Sequence, residues 1–250
     1  MKALAIAAHE LRAQLLSPLA WSVYAVVTFI MAYVFLANLD VYLSYYMARL
    51  ATMEGAPGVT DIVAGGTLQT ATIILLLVTP LLTMRLVADE RRTGTLTLLL
   101  SSPVRVTDIV LGKFLGVLGV MAILLAVIFA MPLSLAAGAS LDWGKLAAAA
   151  LGMLLLASAM AAVGLFMSTL TRHAMVAAVS AFGALLFLWL IDITAEAGAR
   201  SDAVMKYLSL RQHYDSLLKG TFDSADVAYY LIVTALFLAF SVRRLDADRI

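Results

Sequence analysis

Hydrophobic side chains fall into six long runs, and polar positions gather between them. A helix needs roughly 20 mostly apolar residues to cross the hydrocarbon core of a bilayer. The last run is the shortest, because the uncharged stretch between Asp226 and Arg243 reaches only about 24 Å as a helix. We expect these two charges to lie in the headgroup region. The runs therefore predict six membrane-spanning helices, at about residues 19–39, 64–84, 112–133, 146–170, 173–191 and 226–242.

Composition excludes several classes of protein. Apolar residues make up 63% of the 250 residues and charged residues 13%, whereas soluble domains have about 45–50% and about 25%. A water-soluble enzyme and a disordered chain are both excluded, because so much apolar surface cannot be hidden from water in a chain of this length. The chain has no Cys, which excludes disulfides and thiol chemistry. The net charge of +1 indicates no nucleic-acid partner.

The distribution of basic residues predicts the orientation in the membrane. With the N-terminus in the cytoplasm, eleven of the seventeen Lys and Arg residues lie on the inner side. The inner segments then carry a net charge of +5 and the outer segments −4. Cytoplasmic segments of membrane proteins are enriched in Lys and Arg, so we expect both termini in the cytoplasm.

Residues 3–16 are predicted to form an amphipathic helix that lies on the membrane. Leu4, Ala8, Leu11 and Leu15 share one face, as in helices that lie at a bilayer surface. Pro18 favours an elbow between this helix and the first span. A simple helical extension of the first span is the alternative.

The segment 85–110 is the most informative region outside the spans. It is charged at its start, then amphipathic, and it is broken at Ser101, Ser102 and Pro103. A second helix is predicted to begin near Thr107, whose hydroxyl group can cap it. Two short helices tethered to two spans would form a rigid handle for a cytoplasmic partner. An ordinary basic loop is the alternative.

The region 192–225 is predicted to be the main outer loop. Two amphipathic pieces stand near residues 203–210 and 212–219, and Gly220 is positioned to end the second. They would lie on the outer leaflet, form an outer gate or belong to a solvated loop.

The sequence lacks the chemistry of several transporters and enzymes. Gly112-Lys113 is followed by Phe114, and no Gly stands five residues before Gly112, so there is no phosphate-binding loop. The chain is therefore not expected to bind ATP or to be an enzyme. Ser140 and His173 fall at opposite faces of the bilayer and cannot form a catalytic pair. No cluster of His, Cys or carboxylates predicts a metal site.

The span centres carry no ionisable side chain, which disfavours an ion-coupled carrier without excluding it. Gln69, Thr70 and Thr72 are the densest polar group, and hydrogen bonding between helices is their expected role. Gly112 and Gly116 show the four-residue spacing that lets helices approach closely. This spacing leaves open whether the contact is within the chain or between two copies.

Three stretches resemble the membrane subunits of type-2 ABC transporters. The central one, PLLTMRLVADERRTGTLTLLLSSPVRVTDIVLGKF at residues 80–114, is similar to the branch of gliding-motility and nitrous-oxide-reductase maturation permeases. HELRAQLLSPLAW at 9–21 resembles the elbow of the family, and LSLRQHYDSLLKGTFDSADVAYY at 208–230 resembles its outer helix. One departure is Thr97, where the family often has an acid.

The resemblance implies an all-α membrane protein with the type-2 exporter fold, an elbow helix and a cytoplasmic coupling helix. It further implies a second permease subunit and two cytoplasmic ATPase subunits, which would hold ATP and Mg²⁺. The implied elbow residues are Glu10, Arg12 and Pro18. The coupling helix would span about 89–100 and contact the ATPase through Asp89, Glu90, Arg91, Arg92, Thr93, Gly94, Thr95, Leu96 and Leu99.

The expected location is the cytoplasmic membrane of a bacterium or archaeon, and an extracytoplasmic accessory protein is a further candidate partner. The substrate is expected to be apolar or amphipathic, since no charged side chain would line its path. The alternatives are an ion-coupled secondary transporter and a non-transporting membrane scaffold or assembly factor.

Overall fold

A computed structural model describes residues 2–46, 58–101, 104–197 and 207–248, and within these ranges it contains helices and turns but no strand. We number the α-helices in chain order. They are α1 (Lys2–Leu15), α2 (Pro18–Val41), α3 (Gly65–Thr83), α4 (Ala88–Thr93), α5 (Thr95–Ser101), α6 (Val106–Ser134), α7 (Trp143–Leu170), α8 (Ala174–Ala197), α9 (Leu210–Leu218) and α10 (Ser224–Ala247). Single π-helical turns extend α2 through Tyr42–Tyr46 and precede α3 at Thr60–Ala64.

Six of these helices are long and apolar enough to cross a membrane: α2, α3, α6, α7, α8 and α10. The all-helical class and the six candidate spans predicted from the hydrophobic runs are thereby confirmed. Helix α6 begins at Val106, close to the predicted start near Thr107, but the predicted cap is wrong. Arg105 occupies the N-cap position in an extended conformation without a side-chain cap. Thr107 lies inside the first turn, where its hydroxyl cannot take the capping position.

Helix α7 is the centre of the bundle. It packs against α3, α6, α8, α9 and α10. Small residues allow this, because side chains of neighbouring helices occupy the space beside its glycines: Leu217 lies against Gly152 and Thr83 against Gly164. Such close approach is how membrane helices gain packing energy without a hydrophobic drive between them. Helices α2 and α8 lie at the periphery, where only 28% and 17% of their most apolar 18-residue stretches are buried.

Helix α1 packs along the first half of α6. Ile6 lies beside Gly112, Glu10 beside Gly116 and Leu11 beside Gly119, so the two helices run in the same direction. The Gly112–Gly116 spacing therefore serves a contact within the chain. The helix is interrupted between α1 and α2, where Ser17 is extended and Pro18 occupies the first turn of α2.

Polar contacts gather at the two ends of the bundle. One end, which we call the elbow end, carries α1, α4, the start of α6 and the end of α10; Lys113 and Asp248 form ion pairs there. The opposite end, which we call the far end, carries α9; Lys145 pairs there with Asp61 at 2.9 Å. The predicted second outer piece is α9, and Gly220 follows it with φ +82° as the expected terminating glycine. Half of the first piece, residues 203–206, lies outside the described residues.

Gln69, Thr70 and Thr72 do not bond neighbouring helices as expected. The Thr70 and Thr72 hydroxyls donate to carbonyl oxygens of their own helix, at 3.0 Å from Gly66 and 2.7 Å from Gln69. Gln69 is exposed and lies between two polar-lined grooves. The interhelical hydrogen bond of this region joins Asn38 to Thr67 at 3.3 Å.

Candidate coupling site

The predicted coupling segment consists of two short helices with a sharp corner between them. Gly94 separates α4 from α5 with φ +78°, a left-handed conformation that glycine adopts without strain. The single helix expected over residues 89–100 is therefore wrong, because a continuous helix does not pass through this conformation. Beside the corner, the Thr93 hydroxyl lies 2.9 Å from the Asp89 carbonyl oxygen and 2.9 Å from the Thr95 hydroxyl. The predicted break at Ser102 and Pro103 falls outside the described residues.

A buried ion cluster fixes α4 to α1 and α6. The Lys113 side chain is 3% exposed, and its Nζ lies 2.7 Å from Glu90 Oε1 and 3.3 Å from Glu10 Oε2. Gln14 donates to the other oxygen of Glu10 at 3.3 Å. We call Glu10, Glu90 and Lys113 the Lys113 cluster. A buried charge needs partners of opposite sign. The two ion pairs of Lys113 therefore hold α1 and α4 against α6.

A second ion pair ties α4 to the end of α10. Arg91 binds Asp248, and its side chain is only 12% exposed. Arg244 lies 3.5 Å from the same carboxylate. Two of the predicted ATPase-contacting residues, Glu90 and Arg91, are thus engaged inside this chain.

The Ser168 hydroxyl holds the turn that leads from α3 into α4. It accepts hydrogen bonds from the backbone N–H groups of Val87 and Ala88, both at 3.1 Å, and donates to the Met84 carbonyl oxygen at 3.0 Å. The residue is fully buried. One side chain of α7 therefore satisfies three backbone groups that a turn would otherwise leave unpaired.

We expect Ser168→Ala to lower the free energy of unfolding by about 2 kcal/mol, because it leaves buried backbone groups unsatisfied. Thermal unfolding of the purified protein in detergent measures this. Ser180→Ala is the matched control, since among the described residues the Ser180 hydroxyl bonds only the Ala177 carbonyl oxygen of its own helix, at 3.0 Å. Equal effects of the two substitutions would contradict the proposed hold on the turn.

The outward surface of α4 and α5 is a small ridge. It is formed by residues that are exposed, with the Arg92 side chain at 63% and Leu98 at 73%. We call it the exposed ridge, and it comprises Arg92, Thr93, Gly94, Thr95 and Leu98. Asp89 stands at its base, 3.7 Å from Arg92 and 3.8 Å from Arg85. The ridge, with the exposed Thr97 beside it, is accessible to a partner.

The predicted site residues thus separate into two groups. Leu96 belongs to the hydrophobic core and Leu99 packs against it, whereas Arg92, Thr93, Gly94 and Thr95 face outward. In the elbow, Glu10 joins the Lys113 cluster, while Arg12 and Pro18 are exposed. Thr97, the departure from the family pattern, is also exposed.

Sequence reasoning missed Lys113, Ser168, Asp248 and the exposed Leu98. The role of Lys113 could have been inferred, because it is a basic residue within a strongly apolar helix. The roles of Asp248 and Ser168 could not, since their partners are 157 and 80 or more residues away in the sequence. No group of His or carboxylate side chains in the described ranges is arranged to hold a metal ion.

The family of the chain follows from a comparison with known protein families. The family model described as ABC-2 family transporter protein matches residues 4–248, nearly the whole length. No curated protein matches the sequence significantly. The match covers the elbow, all six candidate spans and the segment that carries the exposed ridge. The chain is therefore a multi-pass membrane protein of the ABC-2 transporter family, whose members are transport components rather than catalysts.

Proposed function

We propose that this chain is the permease subunit of an ATP-driven exporter and that a separate cytoplasmic ATPase docks on the exposed ridge. The observation that supports this proposal is the way the ridge is attached to the helix bundle. It projects from helices that the Lys113 cluster, the Arg91–Asp248 pair and Ser168 fix to the bundle. A displacement of a ridge that is fixed in this way also displaces the helices behind it, whereas a flexible loop would move without them.

The motion would pass from the ridge to the elbow and to α6. Glu90 and Glu10 share the Lys113 ammonium group, so α4 and α1 cannot separate without leaving a buried charge unpaired. Helix α1 in turn lies against Gly112 and Gly116 of α6. Displacement of the ridge by ATP-driven closure of the ATPase would therefore tilt α1 and α6 together.

A second permease subunit is proposed to face the exposed side of α3. This helix is mostly buried, but Gln69, Ile73, Leu77 and Leu81 form an open stripe at four-residue spacing. The sparsely buried helices α2 and α8 both pack against α3 and flank that stripe. An exposed Gln within a span is costly against lipid, which favours a protein partner or a substrate path there.

The proposed substrate is apolar or amphipathic. Charged side chains of the described spans stand near their ends, so the path offers no compensation to a strongly charged solute. The pattern of residues 80–114 supports assignment to the gliding-motility and nitrous-oxide-reductase maturation branch. The excess of basic residues supports placing the elbow end and both termini in the cytoplasm of a bacterium or archaeon.

Co-purification tests the proposal. The tagged chain is extracted from its native membranes in mild detergent, and an ATPase with a phosphate-binding loop is sought among the bound proteins. Transport under a proton gradient without any ATPase would support an ion-coupled carrier instead. A stable complex that hydrolyses ATP without moving a solute would support a scaffold.

We expect Arg92→Glu to weaken ATPase binding about tenfold, the cost of losing roughly 1.4 kcal/mol at a polar contact. Arg92 is chosen because it is exposed on the ridge, unlike Arg91, which is engaged by Asp248. The retained ATPase is quantified by affinity measurements in detergent. Lys219→Glu, an exposed reversal at the far end, is the control and should leave binding unchanged. Equal loss in both variants would count against the ridge.

A further inference from the structure

A groove opens beside the elbow, between the end of α1, the first half of α2 and the middle of α6. Its volume is about 620 Å³, and Leu15, Phe29 and Val127 stand in its walls. Ala25 and Phe29 are exposed, and only 28% of the most apolar stretch of α2 is buried. The groove is therefore open on a side of the bundle that a lipid or a neighbouring chain would cover.

The walls of the groove are apolar because their aromatic donors are already engaged. Trp21 Nε1 donates to the Leu15 carbonyl oxygen and the Tyr24 hydroxyl group to that of Val120, both at 2.6 Å. The Thr28 hydroxyl is the other polar side-chain group in the described lining. The Trp21 bond crosses the break between α1 and α2 and so fixes the shape of the groove there. An occupant therefore meets a preformed surface that suits a hydrocarbon chain.

The length of the groove matches one leaflet of a bilayer. Its lining follows α2 from Trp21 to Ala32, a rise of about 16 Å. The hydrocarbon core of a bilayer is about 30 Å thick, and one leaflet accounts for about half of it. Trp21 is exposed near the elbow end, and Trp side chains are enriched at the headgroup level. The groove therefore extends from the headgroups to about the centre of the bilayer, as a single acyl chain does.

A basic side chain without a counter-ion lies one helical turn from the groove. Arg12 stands in the last turn of α1, one turn before Leu15. It is exposed and has no ion-pair partner in the part of the chain that the structure describes. The one acidic residue of α1, Glu10, is turned toward α6 and pairs with Lys113. Because a basic side chain near a membrane surface attracts anionic headgroups, this end of the groove is complementary to a lipid phosphate.

We propose that the groove binds an anionic phospholipid from the leaflet at the elbow end, with one acyl chain along α2 and the phosphate beside Arg12. The acyl chain would cover the apolar walls, and the phosphate would supply the counter-ion that Arg12 lacks. A lipid in this position fills the angle between α1 and α2 and supports the elbow. The site goes beyond the proposed transport function and requires no ATPase.

Quenching of tryptophan fluorescence by brominated lipids tests the site in the full-length chain, because bromine on an acyl chain quenches an indole group only at short range. Trp143→Phe/Trp189→Phe leaves Trp21 as the single tryptophan. This chain is placed in phosphatidylcholine nanodiscs with increasing fractions of brominated phosphatidylglycerol or of brominated phosphatidylcholine. We expect half-maximal quenching at an about fivefold lower mole fraction of the anionic lipid, the effect of one Arg near an anionic surface.

Trp143 provides the matched reference, because it is exposed at the far end. In the Trp21→Phe/Trp189→Phe chain, Trp143 should respond equally to the two lipids. Equal quenching of Trp21 by both lipids would overturn the proposed site. The same preference for the anionic lipid at both tryptophans would also overturn it, since this would show a general attraction of the protein for anionic lipid.

Arg12→Gln in the chain that retains only Trp21 should abolish the preference for the anionic lipid. Arg172→Gln is the control, since Arg172 is exposed after the end of α7 and lies outside the groove lining. This substitution should preserve the preference. A preference that persists in Arg12→Gln would overturn the phosphate contact.

Ala25→Leu should fill part of the groove and weaken the quenching of Trp21 by both lipids. Ala37→Leu, an exposed position of α2 outside the lining, should leave the quenching unchanged. Absence of quenching by either lipid, together with disulfide cross-linking of Phe29→Cys between two copies, would place a second copy of the chain in the groove and overturn the lipid site.

Discussion

Replacement of Lys113 with Met should lower the free energy of unfolding by about 3–5 kcal/mol, because it leaves two partly buried carboxylates without a cation. Glu10 and Glu90 both depend on the Lys113 Nζ, and the second oxygen of Glu90 is buried without a hydrogen-bond partner among the described residues. In the proposed complex with an ATPase, the variant should also lose stimulation of ATP hydrolysis by substrate, since α4 and α1 would no longer move together. Thermal unfolding in detergent and ATPase assays measure the two effects.

Lys145→Met is the matched control for this prediction. Lys145 also pairs with two carboxylates, Asp61 at 2.9 Å and Asp142 at 3.9 Å, but its side chain is 35% exposed. Its removal should cost far less stability than that of Lys113, as for other solvent-accessible ion pairs. Combining Lys113→Met with Glu10→Gln and Glu90→Gln should restore most of the stability by removing the unpaired charges. Equal destabilisation by the two lysine substitutions would refute the special role of the Lys113 cluster.

The second large loss of stability is expected from substitution of the glycines of α6 against which α1 packs. A Cβ at Gly116 would lie 2.6 Å from the Glu10 Cβ, and one at Gly112 would lie 2.9 Å from the Ala3 carbonyl oxygen. Because the α1 backbone leaves no room for a side chain at Gly112, Gly112→Leu/Gly116→Leu should push α1 away from α6. Overpacking costs about 1–3 kcal/mol per site, so we expect a loss of roughly 4 kcal/mol and faster maleimide labelling of Ile6→Cys.

Gly183→Leu serves as the control for the glycine substitutions. It lies inside α8, and a Cβ there would meet nothing within 4 Å. The added side chain should therefore leave the unfolding temperature and the labelling of Ile6→Cys unchanged. If Gly112→Leu/Gly116→Leu behaved like Gly183→Leu, the close packing of α1 on α6 would be wrong.

The spans could be predicted from sequence because the length of an apolar run is sufficient to identify a membrane-spanning helix. Their arrangement could not, because lipid and protein partners both accept apolar side chains. The central helix α7 and the peripheral α8 have similar mean hydropathy, 2.2 and 2.4, yet 67% and 17% of their apolar windows are buried. Small residues such as Gly152 and Gly164 allow close packing on α7, but small residues also lie at interfaces between chains.

The candidate site was predictable in place but not in the roles of its residues. Charge and turn residues located the segment that carries Asp89, Arg92 and Gly94. They could not show that Glu90 points to Lys113, since that contact depends on the tertiary packing of α4 against α6. The contact between His213 and Asp226 likewise depends on the relative position of α9 and α10.

The corner at Gly94 restricts handedness rather than size. Its φ of +78° strains ordinary L-amino acids, yet a Cβ built there would meet nothing within 4 Å. A D-alanine residue would therefore fit this corner, while an L-valine would bend it although there is ample room. The tip of the ridge thus accepts added bulk with little strain from a D-residue, or from the L-residues Asn and Asp that adopt a left-handed backbone most readily, so backbone handedness rather than space limits which side chain can stand there.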